Sequence, residues 1–159
     1  MGKFLSTKTY GNDRGLSCCF RQAGATHSHC SLLHGYSIGI KLIFECDELD
    51  ERNWVFDFGG LKQFKKWSED TFDHKLLVAQ DDPHRDKLEQ LGKDGLADVV
   101  IVPGVGCERF AEMAYKKMSD IIKDQKFSGT SLNPTVRVKS AEVFEHEANS
   151  AIYEGDNND

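Results

Sequence analysis

Long apolar runs, basic blocks and an even number of cysteines are all absent from this chain of 159 residues. No apolar stretch approaches the roughly 20 residues that span a bilayer, so no membrane segment is expected. The net charge is -6 without a basic block, which disfavours nucleic acid as the main partner. The first ten residues contain no apolar signal core, so the five cysteines indicate reduced thiols and a cytoplasmic protein.

The length is suited to one domain that buries its own core. No internal repeat and no long linker divides the chain. We therefore expect a single domain over residues 1–159, with the acidic, Asn-rich tail at 154–159 frayed.

Apolar periodicity predicts strands at both ends of the chain. Residues 16–22 form a possible first strand, and residues 37–45 a strong second one, because apolar side chains there recur at every second position. Residues 136–145 and 150–153 are typical of a closing hairpin.

Two helices are predicted between these strands. Residues 61–72 and residues 108–123 carry apolar side chains at helical spacing. The polar stretch 81–95 is predicted as a loop with room for a short helix. The order β-β-α-α-β-β favours an α+β domain whose helices cover one face of an antiparallel sheet.

The most informative run holds three histidines and one cysteine within eight residues: His27, His29, Cys30 and His34. Imidazole and thiolate are the ligands that suit zinc and similar metals. A cysteine beside such a site also serves in proton transfer, because a nearby metal or imidazolium lowers the pKa of a thiol. If the second strand extends backwards, Cys30, His34 and Tyr36 share a face with its apolar residues. The alternative is a turn in which one or two histidines are simply hydrogen-bonded.

Asp73 and His74 follow the first predicted helix and form a second candidate pair. His74 suits a proton carrier whose pKa lies near working pH, with Asp73 orienting it. The alternative is a helix C-terminus, where a histidine interacts favourably with the helix dipole.

Two glutamates lie at the ends of predicted elements. Glu145, at the end of an apolar strand, can anchor a guanidine-like edge of a heterocycle through paired hydrogen bonds. The alternative is a solvated strand end. Glu108 opens the second helix, where the dipole alone explains a carboxylate.

These signals occur in an order that resembles the 6-pyruvoyl-tetrahydropterin synthase / 6-carboxy-tetrahydropterin synthase family. The resemblance spans nearly the whole chain. The motifs that carry it are Cys30-Ser-Leu-Leu-His34-Gly35-Tyr36, Asp57-Phe58 before the first helix, Asp73-His74 followed by leucine, Gly106-Cys107-Glu108, Glu145 and Tyr153. The four-residue spacing from Cys30 to His34 is similar to that in the 6-carboxy branch of the family, which supplies queuosine synthesis.

The resemblance implies a tunnelling fold, in which β-β-α-α-β-β units assemble into an oligomeric barrel, a hexamer of two trimers with sites between subunits. It implies 7,8-dihydroneopterin triphosphate as substrate and zinc that polarises the substrate side chain. Cys30 would be the thiolate base, Asp73 and His74 would complete the proton relay, and Glu145 would hold the pterin ring. The residues expected to bind substrate are Glu145, Glu108 and Cys107.

The metal motif of this chain departs from that of the family. The last motif histidine is replaced by Tyr36, and a neutral phenol is a poor zinc ligand. The family's first metal histidine lies in a Phe-x-x-x-His strand, whereas residues 20–24 contain no histidine. We therefore predict a zinc site formed by His34 with one or both of His27 and His29. The alternative function is a non-catalytic pterin- or nucleobase-binding relative that has lost the full metal triad.

Overall fold

The structure is a computed structural model that describes residues 2–128, 132–146 and 148–156. This part of the chain contains seven strands and three α-helices. In chain order they are β1 (Phe4–Tyr10), β2 (Leu16–Phe20), β3 (His34–Cys46), α1 (Lys62–Phe72), β4 (Lys75–Ala79), α2 (Arg85–Lys93), β5 (Val99–Val102), α3 (Cys107–Phe127), β6 (Arg137–His146) and β7 (Asn149–Glu154).

The long strand β3 organises the sheet. Its second half pairs with β1 and its first half with β2, both antiparallel, so β1 and β2 follow each other along one edge of β3. The other edge of β3 pairs with β6, and β6 pairs with β7, again antiparallel. β4 and β5 extend the sheet beyond β2 as parallel strands, which gives the order β5-β4-β2-β3-β6-β7.

The predicted alternation in β3 is confirmed, since Ile38, Ile40, Leu42 and Phe44 are fully buried. Side chains two residues apart on a strand share a face. The preceding positions on this face are therefore Tyr36 and His34, and β3 connects the core directly to them.

The α+β class is confirmed, but the predicted purely antiparallel sheet and the simple order β-β-α-α-β-β are wrong. β1 is an edge strand in which no residue is fully buried, so it shows little apolar periodicity. β5 has only four residues, too few for periodicity to identify a strand. The helix α2 forms in the segment predicted to be a loop with room for a short helix.

Helices lie on both faces of the sheet, which corrects the prediction that they cover one face. α1 and α3 share the main core with Leu77 of β4. Leu88 of α2 instead packs with Leu76 and Val78, which point to the opposite face of β4. The two parallel strands therefore need a helix of their own on the second face.

The end of the chain is more ordered than predicted. Glu154 belongs to β7, and the amide nitrogen of Gly155 donates a hydrogen bond to the carbonyl oxygen of Lys139 at 3.1 Å. Fraying from residue 154 is therefore wrong for 154 and 155, while 157–159 lie outside the described residues. None of the described helices combines the length and apolar character needed to cross a membrane.

Candidate functional site

Phe20, His34 and Tyr36 form an aromatic cluster at the edge of the core, where β2 and β3 pair. The register places Phe20 opposite His34 and Cys18 opposite Tyr36. The ring of Tyr36 stacks on that of Phe20, with centroids 4.0 Å apart and planes 8° apart. The ring of His34 lies 4.4 Å from that of Tyr36. Side chains from two strands therefore meet at one point.

A thiol and a carboxylate meet next to this cluster. Cys107, the first residue of α3, lies with its Sγ 3.8 Å from Oε1 of Glu145 near the end of β6. Gly106 precedes the helix with φ 111°, a conformation that favours glycine. A Cβ at this position would lie 2.6 Å from the side-chain nitrogen of Gln22. Glycine therefore allows α3 to begin close to the segment that follows β2.

Both groups beside the Glu145 carboxylate are held in their protonated forms. Burial first, and then the charges of Glu145 and Glu108, raise the pKa of the Cys107 thiol to about 12. Burial first, and then the charge of Glu145, raise the pKa of Tyr36 to about 12. At neutral pH the site therefore combines a carboxylate acceptor with a neutral thiol and a neutral phenol.

Cys30 lies in a single 3-10 turn, His29–Ser31, that folds back against the end of β2. The hydroxyl of Ser28 accepts a hydrogen bond from the amide nitrogen of Cys30 at 3.2 Å. The carbonyl oxygen of Cys30 accepts one from the amide nitrogen of Gln22 at 2.7 Å. Cys30 also lies close enough to act electrostatically on Tyr36. The turn thus places a partly exposed thiol near the aromatic cluster.

An ion pair anchors this turn. The guanidinium of Arg21 pairs with the carboxylate of Asp82 at 2.8 Å and donates a hydrogen bond to the carbonyl oxygen of Ser31 at 2.9 Å. The carboxylate of Asp82 also accepts a hydrogen bond from the amide nitrogen of His84. Asp82 is buried, so its carboxylate relies on these bonds, and not on water, for its partners. The hydrogen bond from Arg21 lowers the pKa of Asp82. Arg21 therefore connects the Cys30 turn to the segment after β4.

Asp73 and His74 lie between α1 and β4. Oδ1 of Asp73 is 2.9 Å from Nδ1 of His74 and accepts a hydrogen bond from the amide nitrogen of Ser17 at 3.3 Å. His74 has φ 59°, and its side chain is 84% exposed. Among the described residues no hydrogen bond joins this pair to Cys30. Asp73 orients the imidazole, which faces outward from the chain.

The three histidines predicted as metal ligands do not come together. His34 belongs to the aromatic cluster, with Nδ1 2.9 Å from the carbonyl oxygen of Leu32. His27 lines a separate cavity with Arg109, and His29 is exposed. Over residues 2–128, 132–146 and 148–156, no three His, Cys, Asp or Glu side chains are placed to hold a metal ion. The donor set therefore does not fit the zinc centre that the resemblance implies.

Sequence reasoning missed Phe20, Gln22 and Arg21 as parts of the site. Arg21 and Gln22 support the Cys30 turn, and Phe20 contacts Tyr36 directly. The sequence comparison did compare residues 20–24 with the family's metal-histidine strand, but it looked only for a histidine; the contact of Phe20 with Tyr36 depends on the pairing of β2 with β3.

A sequence profile of the 6-pyruvoyl tetrahydropterin synthase family matches residues 12–156, from the turn before β2 to just beyond β7. The chain belongs to this family. Membership of the 6-pyruvoyl tetrahydropterin synthase family confirms the resemblance seen in the motif order.

Individual relatives match a shorter part of the chain. The 6-carboxy-5,6,7,8-tetrahydropterin synthase of Rickettsia conorii is 37% identical over 54 residues, which are 33% of this chain and 39% of that protein. The enzyme of the same name from Rickettsia bellii is 35% identical over 54 residues, with the same coverage. The match thus spans well under half the length of these relatives.

Solved structures share the fold over almost the whole chain. An uncharacterized protein from Wolinella succinogenes superimposes with a TM-score of 0.74 at 18% identity, covering 98% of this chain and 100% of that one. The 6-pyruvoyl tetrahydropterin synthase of Plasmodium falciparum gives a TM-score of 0.63 at 14% identity, with coverages of 96% and 98%. At these identities the similarity shows the shared fold.

Proposed function

We propose that this chain converts 7,8-dihydroneopterin triphosphate to 6-carboxy-tetrahydropterin, with one water consumed and with triphosphate and acetaldehyde released. Family membership and the names of the Rickettsia relatives support a pterin synthase. The observation that carries the proposal is the group formed by Glu145, Cys107 and Tyr36. A carboxylate beside neutral donors suits a heterocycle that presents adjacent N–H groups and a carbonyl oxygen.

In this proposal each residue has one task. Glu145 accepts hydrogen bonds from the ring N–H groups, and Cys107 and Tyr36 present neutral donors beside it. Cys30 is the proton-transfer thiol, in a turn held by Arg21 and Ser28. No step at a metal is included, because the donors of the described chain do not fit a zinc site.

Glu108 has a lesser part than predicted from the resemblance alone. Its side chain is exposed at the start of α3, and its charge contributes to the raised pKa of Cys107. We assign Glu108 to the rim of the substrate site.

We also propose that the functional particle is a homohexamer, a dimer of trimers. β1 pairs only with β3 and β7 only with β6 among the described strands, so both have an open edge. Phe4, Leu5 and Ile152 on these strands are 59%, 50% and 61% exposed. Open strand edges with apolar side chains invite pairing. Joining β1 of one subunit to β7 of the next would close a ring.

Assembly also gives the exposed Asp73–His74 pair a place in the reaction. Because Asp73 orients His74 while the imidazole faces outward, we assign the pair to a proton relay completed where two subunits meet. Light scattering at micromolar concentration tests the assembly. A strictly monomeric particle would contradict both the hexamer and this placement of His74.

The reaction is tested by incubating the purified chain with 7,8-dihydroneopterin triphosphate. Released acetaldehyde is followed with alcohol dehydrogenase and NADH, and the pterin product is identified by mass spectrometry. We expect both products in equal amounts, and we expect Glu145→Gln to reduce their formation. Triphosphate release without acetaldehyde would move the proposal from the 6-carboxy to the 6-pyruvoyl product.

One observation favours a second candidate, a non-catalytic pterin- or nucleobase-binding protein. The ring of Phe20 stacks on that of Tyr36, which stands where the resemblance implies a metal histidine. This candidate predicts saturable binding of 7,8-dihydroneopterin without turnover. Under it, Cys30→Ala would leave binding unchanged while Glu145→Gln would weaken it.

A further inference from the structure

We infer that Phe20, His34 and Tyr36 occupy the three ligand positions of a lost metal centre, and that the aromatic cluster holds no catalytic zinc. The motif resemblance already assigns two metal positions to His34 and Tyr36, which lie on one face of β3. The motif comparison matched the third to a Phe-x-x-x-His segment at residues 20–24, whereas the structure points to Phe20 itself as that position. Phe20 lies opposite His34 in the β2–β3 register and stacks on Tyr36, so it faces both positions from the neighbouring strand.

The three positions are arranged as in a metal site, but the side chains of Phe20 and Tyr36 are not suitable zinc donors. The three positions lie on one face of two paired strands, and the ring centroids are 4.0 Å apart for Phe20 and Tyr36 and 4.4 Å apart for Tyr36 and His34, so the three side chains gather at one place. The phenyl ring of Phe20 has no lone pair to offer. The phenol of Tyr36 must first ionise to bind a cation well. His34 is then the one imidazole of the cluster, and one protein ligand does not make a catalytic zinc site.

The position of Phe20 is occupied by an apolar ring that belongs to the core. Phe20 is fully buried, and its ring also contacts Phe110 of α3 edge-on, with centroids 5.2 Å apart. Cys18, two residues earlier on the same face of β2, does not rebuild the site. No set of three suitable donors that includes it occurs in the described part of the chain.

The inference is independent of the proposed reaction, because it concerns the metal content of the protein without substrate. It predicts that two substitutions restore the centre. In the double variant Phe20→His/Tyr36→His, histidines at positions 20 and 36 would join His34. The matched control is Phe20→Leu/Tyr36→Leu, which removes the same two rings but adds no ligand.

The experiment strips all proteins with a chelator, dialyses them against zinc or cobalt, and measures bound metal and the visible absorption of cobalt. We expect the natural chain and the leucine control to retain well under one equivalent. We expect the double histidine substitution to retain about one zinc per chain, with the cobalt bands of a tetrahedral site. Adding His34→Ala to that variant should remove the metal.

Two results would overturn the inference. The first is one tightly held zinc in the natural chain that His34→Ala removes. The second is a double variant that folds, as judged by circular dichroism, but binds no more metal than the leucine control. If the double variant fails to fold, the single substitution Tyr36→His is compared with Tyr36→Leu in the same way. Tyr36→His supplies two of the three ligands, so zinc affinity is measured by titration, and an affinity equal to that of Tyr36→Leu would count against the assignment.

Discussion

The Sγ atom of Cys107 lies 3.8 Å from Oε1 of Glu145, although the two residues are 38 positions apart in the chain. This contact joins the start of α3 to the end of β6. Burial first, and then the charge of Glu145, raise the pKa of the thiol, so that a neutral donor lies beside the carboxylate proposed to hold the substrate ring.

Replacing Glu145 by glutamine should weaken pterin binding about 10- to 100-fold, since a hydrogen bond to a charged group contributes roughly 1.5–3 kcal/mol. Titration of 7,8-dihydroneopterin fluorescence measures this change. The control is Glu142→Gln on the same strand, whose carboxylate is hydrogen-bonded by Ser150 at 2.7 Å. Equal affinities in the two variants would exclude Glu145 as the ring anchor.

Replacing Cys30 by alanine should abolish most turnover, by about 10²-fold or more, because a positioned proton-transfer group contributes on that order. Cys30 is only partly buried, so the free energy of unfolding should change by less than about 0.5 kcal/mol. The buried Cys46 provides the opposite case. Cys46→Ala should lower the free energy of unfolding by about 1 kcal/mol and leave turnover intact. Full turnover in Cys30→Ala would make this thiol structural.

The Arg21–Asp82 pair should give stability that depends on acid pH. The pKa of Asp82 in the folded chain is lowered by Arg21, so its contribution is present above the unfolded value of about 3.9 and is lost as pH falls through the lower folded pKa. At pH 7, Asp82→Asn should lower the free energy of unfolding by about 2 kcal/mol, less than for a fully buried pair, because Arg21 is partly exposed.

Urea unfolding between pH 7 and pH 2.5 measures this dependence. The difference between the natural chain and Asp82→Asn should shrink toward the acid end of the range. Asp70→Asn is the control, because its pair with Lys66 is exposed and should contribute little at any pH. A difference that stays constant down to pH 2.5 would show that the loss comes from packing rather than from the charge of Asp82.

The left-handed backbone conformation of His74 allows the effect of its substitution on stability to be measured apart from the effect on turnover. With φ 59°, His74→Gly should be more stable than His74→Ala by about 1 kcal/mol, because only glycine adopts this conformation without strain. Both variants should lose turnover if His74 carries a proton. Thermal unfolding and the acetaldehyde assay measure the two effects. Equal turnover in both variants and the natural chain would remove His74 from the relay.

Much of the fold was predictable because its signals are local. The alternation in β3, the helical spacing in α1 and α3 and the final hairpin each follow from the contact of one apolar face with the core. β1, β4, β5 and α2 were less accessible. Short or edge strands bury few side chains, and parallel pairing of β2, β4 and β5 depends on residues far apart in the chain.

By itself, the sequence determined the family and its set of chemical groups, because the motifs around Cys30, Asp73, Cys107 and Glu145 occur in a recognisable order. Only the tertiary structure decided which of these groups meet. It placed Cys107 against Glu145, turned His74 outward, and set Phe20 against Tyr36 where a metal ligand was expected. The physical reason is that these contacts join residues far apart in the chain: the apolar alternation of β2 and β3 sets which face Phe20 and Tyr36 occupy, but only the pairing of the two strands brings their rings together.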